Sequence, residues 1–340
     1  MKRFLSFFGV ALLVMAVAAW LFPGHEAVAA AGVENPEPML LMGIVMNANT
    51  LSALYRAFNT SFQRGFSGVS PMWSKVATLV PSSTKTEDYG WLGKIPKMRE
   101  WIGDRQIQNL KLHSYSIKNK SFESTVGVDR DDIDDDQLGV YSPIFETLGQ
   151  NAAEHPDELV FALYLLGFTT ACYDGQYFFD TDHPVIQADE TVASVSNVQA
   201  GAGNAWFLLD TRRPLKPVIF QERKKAKFVA MDKETDQNVF MKKEYLYGVD
   251  SRCNVGFGFW QMAFGSKLEL DPANFEATYD AMGAFTGDYG RPLGIKPNIL
   301  LVGSSNASAG RKIVEAQLIN GGDSNTNFRR VELIECPWLP

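Results

Sequence analysis

The stretch Cys172-Tyr-Asp-Gly-Gln-Tyr-Phe-Phe-Asp-Thr-Asp-His-Pro184 follows directly on a long helical pattern and gathers four aromatics, three aspartates and a histidine. Such a run is either a reactive loop or a packed joint between two parts of a fold, and its surroundings decide which. His183 with Asp180 and Asp182 is the best acid–base or metal-like cluster in the chain, yet His25, His113 and His155 stand at no ligand spacing from it. There is no GxSxG elbow, since Gly303-Ser-Ser-Asn306 lacks the second glycine. Gly201-Ala-Gly203 lacks the third glycine and the helix of a dinucleotide site. Cys172 follows an apolar helix, the setting of a buried, unreactive thiol. The run therefore reads as a joint.

At 340 residues, with 46% apolar and 21% charged residues, the chain has the composition of a globular protein with a large core. A net charge of −7 argues against a dedicated nucleic-acid binder, which needs an excess of Lys and Arg. Cys172, Cys253 and Cys336 are odd in number and form no CxxC, which excludes a zinc ribbon and favours a reducing compartment.

The N-terminus points the other way. Lys2 and Arg3, an apolar stretch from Phe4 to Phe22 and then Ala27-Val-Ala29 have the three parts of a secretory signal peptide. A membrane anchor, or a start that belongs at Met42 or Met46, fits the same residues. Residues 1–45 are set outside the fold as a leader.

Leu51, Leu54, Tyr55, Phe58 and Phe62 recur at helical spacing. The Pro-, Ser- and Gly-rich stretch after Gly68 carries Trp73 and Trp91 and reads as an extended arm that must lie on something. Leu110 and Leu112, then Phe122, Ser124, Val126 and Val128, alternate with polar residues, and Lys118-Asn119-Lys120 supplies the turn of an expected hairpin. Six carboxylates between Asp129 and Asp136 fail the EF-hand pattern and read as a solvated acidic turn. Helical patterns run from about 138 to 168, with Pro156 between two apolar clusters, either as two helices or as one with a kink. Short strands follow at Trp206–Leu209, Val218–Phe220, Phe228–Met231 and Tyr245–Phe264, and Asp271-Pro272 opens a helix. Without a regular βαβ rhythm, the class is α+β.

A larger set of motifs has an order of its own. Tyr89-Gly-Trp-Leu-Gly93, Arg99-Glu-Trp-Ile-Gly-Asp-Arg105, Tyr115-Ser-Ile-Lys-Asn-Lys120, His155-Pro-Asp-Glu-Leu159, Cys172 to Pro184, Glu244-Tyr-Leu-Tyr-Gly248, Asn254-Val-Gly-Phe-Gly-Phe-Trp260 and Arg291-Pro-Leu-Gly294 together resemble the Mu-type prophage major head subunit family. The resemblance runs from about Asn47 to the C-terminus and leaves out the leader.

The resemblance implies a Hong-Kong-type tailed-phage capsid fold and a structural protein rather than an enzyme. It implies an N-terminal arm over residues 46–98 and an extended hairpin loop over 99–130. Residues 131–340 would hold a peripheral domain, with a spine helix at about 138–168, strands at about 228–264 and the terminal strand. Axial segments would lie at about 185–225 and 271–322. The subunit would build an icosahedral shell of hexamers and pentamers around double-stranded DNA in the host cytoplasm. Scaffold, portal and decoration proteins would be its partners, with no cofactor, no metal and no membrane in the mature fold. Trp73, Trp91, Trp101, Leu112, Tyr115, Lys118, Asn119, Lys120 and Phe122 are the expected inter-subunit contacts. The competing expectation, which takes the leader at face value, is an exported metal-dependent hydrolase using Asp180, Asp182 and His183.

Overall fold

The computed structural model describes residues 47–90, 92, 115–135 and 138–340. The leader, Trp91, Trp101 and Leu112 lie outside the described residues. The main elements in chain order are α1 (Ala48–Gly68), β1 (Ala77–Pro81), β2 (Lys120–Asp129), α2 (Tyr141–Leu166), β3 (Trp206–Leu209), β4 (Val218–Met231), β5 (Glu244–Phe257), β6 (Ala263–Ser266), α3 (Pro272–Gly283), β7 (Ile299–Val302), α4 (Ala307–Val314) and β8 (Glu332–Glu335).

Two sheets organise them. The first has the order β1-β4-β5-β2, and the second β8-β7-β3-β6 followed by the short strand Val198–Gln199. β4 and β5 are antiparallel, β5 and β2 likewise, and β1 joins β4 in parallel. One face of the first sheet, with Phe228, Tyr245, Tyr247 and Val249, buries against Phe58, Phe62, Phe145 and Leu148 of α1 and α2. A second, larger core surrounds the other sheet and takes in Val160, Phe161 and Tyr164 from the far half of α2.

α2 is therefore shared between two cores, which explains Pro156. The structure has one continuous helix of 26 residues with the proline inside it, not two helices. A proline there removes one backbone hydrogen bond and costs about 3 kcal/mol. Burial of both halves of the helix offsets this. The next residue, Asp157, turns its buried carboxylate on the short helix Trp73–Val76, accepting from the backbone N–H of Met72 at 3.1 Å and of Trp73 at 2.6 Å.

Several expectations change. Lys118-Asn119-Lys120 is not a hairpin turn. Ser116–Lys118 pairs with Thr86–Asp88, whereas β2 pairs with β5, so the strands on either side of Asn119 never pair with each other. Alternation shows that a strand has one covered face but not which strand covers it. Trp73 does not stand exposed on an arm: its ring lies 4.7 Å from that of Phe220 in the same chain. The terminal strand β8 runs parallel to β7 in the second sheet instead of joining the long strands. Val218–Phe220 and Phe228–Met231 are two ends of the single strand β4, whose middle is the basic run Arg223–Lys227. The expected strand Tyr245–Phe264 divides between the two sheets at the turn Trp260–Met262.

Candidate functional site

The 172–184 run leaves the C-terminal end of α2 and enters the ribbon His183–Ile186/Val192–Val195. His183 is fully buried, and its ring stacks on Trp260 with centroids 4.0 Å apart and planes 9° from parallel. Its Nε2 lies 3.2 Å from Asn197 Oδ1 and its Nδ1 2.7 Å from Asp174 Oδ2. Asn197 is oriented by its own bonds. Its Nδ2 donates to the carbonyls of Phe178, Trp260 and Ala263, while its Oδ1 also accepts from the N–H of Asp180 at 2.9 Å. With that oxygen facing it, His183 Nε2 must be a donor.

Asp174 is the hub on the other side. Besides the His183 contact, it accepts from Cys172 Sγ at 3.0 Å and from the N–H of Gln176 at 3.1 Å. Burial pushes its pKa up, but the hydrogen bonds from His183 and Cys172 and the His183 charge outweigh this and hold it below the ordinary aspartate value. Burial pushes the Cys172 thiol up, and the Asp174 charge adds to that, so the sulfur is a weak donor rather than a nucleophile.

One atom from each of Cys172, Asp174 and His183 lies within 4.8 Å of the others. The 2.7 Å separation of Nδ1 and Oδ2 is nevertheless a hydrogen-bond length. Two ligands of one tetrahedral zinc would stand roughly 3.3 Å apart, given metal–ligand bonds of about 2.0 Å. Asp180 and Asp182 are not part of this cluster. The Asp180 carboxylate accepts from the N–H groups of Tyr177 and Thr181, and Asp182 is exposed and meets the Gln176 side chain at 3.2 Å. A hydrogen bond with Asp180 raises Asp182 above its ordinary pKa. The expected catalytic set is a locked joint. Asp174, Asn197 and Trp260, which complete it, were not among the expected residues; Asp174 stood in the quoted run, and no local spacing ties Asn197 and Trp260 to it.

A second polar cluster lies at the root of the Thr86–Asp88/Ser116–Lys118 ribbon. Asn119 is 5% exposed, with Nδ2 donating to Ser82 Oγ and the Thr84 carbonyl, each at 2.8 Å. Buried Gln221 donates to Asn119 Oδ1 at 2.8 Å and accepts from Tyr89 OH at 2.8 Å. The Tyr115 hydroxyl accepts from the N–H of Phe257 at 2.7 Å. Lys118 and Lys120 are exposed and Phe122 is half-buried beside His155. Asn119 thus braces its own chain, and the bonds of Tyr89 and Tyr115 anchor the described residues on either side of residues 93–114. Large apolar side chains remain in water elsewhere, including Phe240 at 82% and Met241 at 69% exposure, on the short helix between β4 and β5.

Residues 51–339 match the family model of the Mu-like prophage major head subunit gpT. The chain is 40% identical to the major capsid protein of Escherichia phage Mu over 87% of its own length and 100% of that protein. It is 44% identical to the Mu-like prophage FluMu major head subunit of Haemophilus influenzae, covering 83% of this chain and 95% of that one. This chain belongs to the Mu-like gpT major head subunit family. Among solved structures, a chain of the procapsid of bacteriophage JBD30 superposes with a TM-score of 0.77 at 50% identity, over 86% of this chain and all of that one. A chain of the JBD30 capsid gives 0.70 at 36% identity, over 87% and 100%. The head subunit therefore has the α+β Hong-Kong-type capsid fold and is a structural protein of the phage capsid. The hydrolase reading falls with both findings: Asp180 and Asp182 form no ligand cluster with His183, and the matched relatives are capsid proteins rather than enzymes.

Proposed function

We propose that copies of the head subunit join as hexamers and pentamers into a closed icosahedral shell that encloses double-stranded DNA and is built in the host cytoplasm. Apolar side chains left in water carry this reading: Phe240 and Met241 on the short helix between the long strands, Leu318 and Ile319 on the ribbon they form with Asp323–Ser324, and Val192 on the ribbon that His183 opens. Clusters of this kind mark surfaces that a partner covers. Many modest interfaces repeated by symmetry then hold the shell together.

In this reading residues 46–88 are the arm, α2 is the spine and the first sheet is peripheral. The second sheet, with α3 and α4, belongs to the axial part. Because Thr86–Asp88 pairs with Ser116–Lys118, the extended loop is read here as about residues 89–115 rather than 99–130. Trp91, Trp101, Leu112, Tyr115, Lys118, Lys120 and Phe122 remain proposed inter-subunit contacts, while Trp73 and Asn119 serve the subunit's own packing. Scaffold and portal proteins are further proposed partners. A decorating protein is another, because one JBD30 capsid with a chain 37% identical to this one, TM-score 0.68, covering 79% of this chain and 91% of that one, is described as decorated with minor capsid protein trimers. An acidic subunit with net charge −7 suits a container that holds DNA without gripping it. Among the described residues no helix is long and apolar enough to cross a membrane.

The test is production of the full chain followed by sedimentation and negative-stain microscopy. Rings or closed particles support assembly. A solitary monomer at every concentration overturns it.

A further inference from the structure

The hydrogen bonds around His183 limit where its protons can sit. The Asn197 amide cannot turn over, because Nδ2 donates to three carbonyls and Oδ1 accepts from the Asp180 N–H. Its oxygen therefore stays on His183 Nε2 at 3.2 Å, and that nitrogen carries a hydrogen. On the other side of the ring, Nδ1 meets Asp174 Oδ2 at 2.7 Å. One proton lies between those two atoms. Held by the ring, it makes an imidazolium beside a carboxylate. Held by the carboxyl group, it leaves a neutral imidazole beside a carboxylic acid.

Burial by itself favours the neutral pair. Three features outweigh it. The other Asp174 oxygen accepts from Cys172 Sγ at 3.0 Å and from the Gln176 N–H at 3.1 Å, and donors that converge on a carboxylate favour its charged form. The opposite face of the contact is Trp260, whose indole lies flat on the ring with centroids 4.0 Å apart, and an indole face attracts a cation. The titratable groups around the ring complete the picture. Asp174 and Cys172 stand on the loop after α2 together with buried Tyr173, whose hydroxyl donates to Gln261. Asp180 and Asp182 precede His183 in its own run, and Asp288 accepts from the Ile186 N–H at 3.2 Å. Every charged member of that set is a carboxylate.

We propose that His183 is held as a buried imidazolium and that its proton is the latch of this joint. The elements it ties are the ones that meet here. Asp174 belongs to the exit of α2, and Asn197 stands beside the strand Val198–Gln199 of the second sheet. Trp260 opens the turn through which the chain passes from β5 in the first sheet to β6 in the second. Loss of the proton leaves a bare ring nitrogen against either the Asp174 carboxylate or the fixed Asn197 oxygen. Two acceptors then face each other out of water, and the contact parts. The latch thus closes in neutral and weakly acid solution and opens in alkali. It belongs to the single subunit and stands independently of the shell reading.

The test uses the full chain carrying His25→Gln, His113→Gln and His155→Gln, which leaves His183 as its sole histidine. Magic-angle-spinning spectra of ¹⁵N-histidine read its ring in subunits and particles alike. At pH 7.5 both ring nitrogens should be protonated, although a solvated imidazole favours the neutral form there by about tenfold. Asp174→Asn in the same chain is the control. Its amide can donate to Nδ1, so the spectrum should change to one bare and one protonated nitrogen. The folded joint keeps a proton that the unfolded chain gives up above about pH 6.5, so stability falls as pH rises from there. Between pH 7 and 8 the unfolding constant in urea should therefore rise by up to about tenfold with Asp174 and stay level with Asp174→Asn. A bare ring nitrogen at pH 7.5 with Asp174 in place overturns the proposal, and that spectrum decides alone if Asp174→Asn does not fold. The same pH dependence in both chains also overturns it.

Discussion

Gly65 and Gly149 face each other across the crossing of α1 and α2. A Cβ on Gly65 would sit 1.9 Å from the Glu146 carbonyl oxygen, and one on Gly149 would sit 2.0 Å from that of Phe62. The leading helix is therefore bound to the spine backbone against backbone, and the two opposing glycines set its distance.

The first prediction follows from that contact. Gly→Ala inside a helix ordinarily stabilises by about 1 kcal/mol. Here Gly149→Ala should destabilise by about 1–3 kcal/mol, because the carbonyl it meets belongs to a rigid helix. Urea unfolding measures the sign. A stabilised variant would mean that the two helices are not held this closely.

Asp157 supplies the second. Asp157→Ala leaves the N–H groups of Met72 and Trp73 without their acceptor, at a cost of about 2–4 kcal/mol. Asp157→Asn, which keeps one oxygen, should recover a large part of this in the same unfolding experiment. Equal losses for the two variants would show that the carboxylate oxygens are not what the short helix depends on.

The third concerns acid. The pKa of Asp174 is lowered from 3.8 on folding, so between its folded value and 3.8 the unfolded chain binds more protons and stability rises with pH. The contribution is fully present above the unfolded value and is lost as pH falls through the folded one. Asp174→Asn should remove that part of the slope below about pH 4. An unchanged slope would show that the His183–Asp174 contact is not an ion pair in solution.

A fourth addresses the loop. Replacing residues 94–113 with a short Gly-Ser linker leaves the Asn119–Gln221–Tyr89 network intact. The variant should keep the circular dichroism and melting of the parent and form no shells in the microscope. Normal particles would remove the loop from the assembly mechanism.

Where the decisive contacts are local, the sequence was readable. Asp271-Pro272 does open α3, with the aspartate side chain accepting from Asn274 N–H at 2.7 Å. The apolar stripe Leu51, Leu54, Phe58 and Phe62 is buried as its spacing required, and Asn47 caps the helix. Non-local pairing was not readable. β8 lies on β7 through a parallel register that leaves no mark in either strand. β4 looked like two strands because Lys225 and Lys227 lie on its open face and interrupt the apolar pattern. The candidate site failed for the same reason: His183 was the right residue to single out, but Asn197 and Trp260, far along the chain, decide that it is locked rather than reactive.

The most direct measurement is sedimentation of the purified full chain over a wide concentration range, with microscopy of the fast fraction. Large closed particles should appear. A stable monomer that remains single at every concentration, with Phe240 and Met241 still in water, would contradict the central claim.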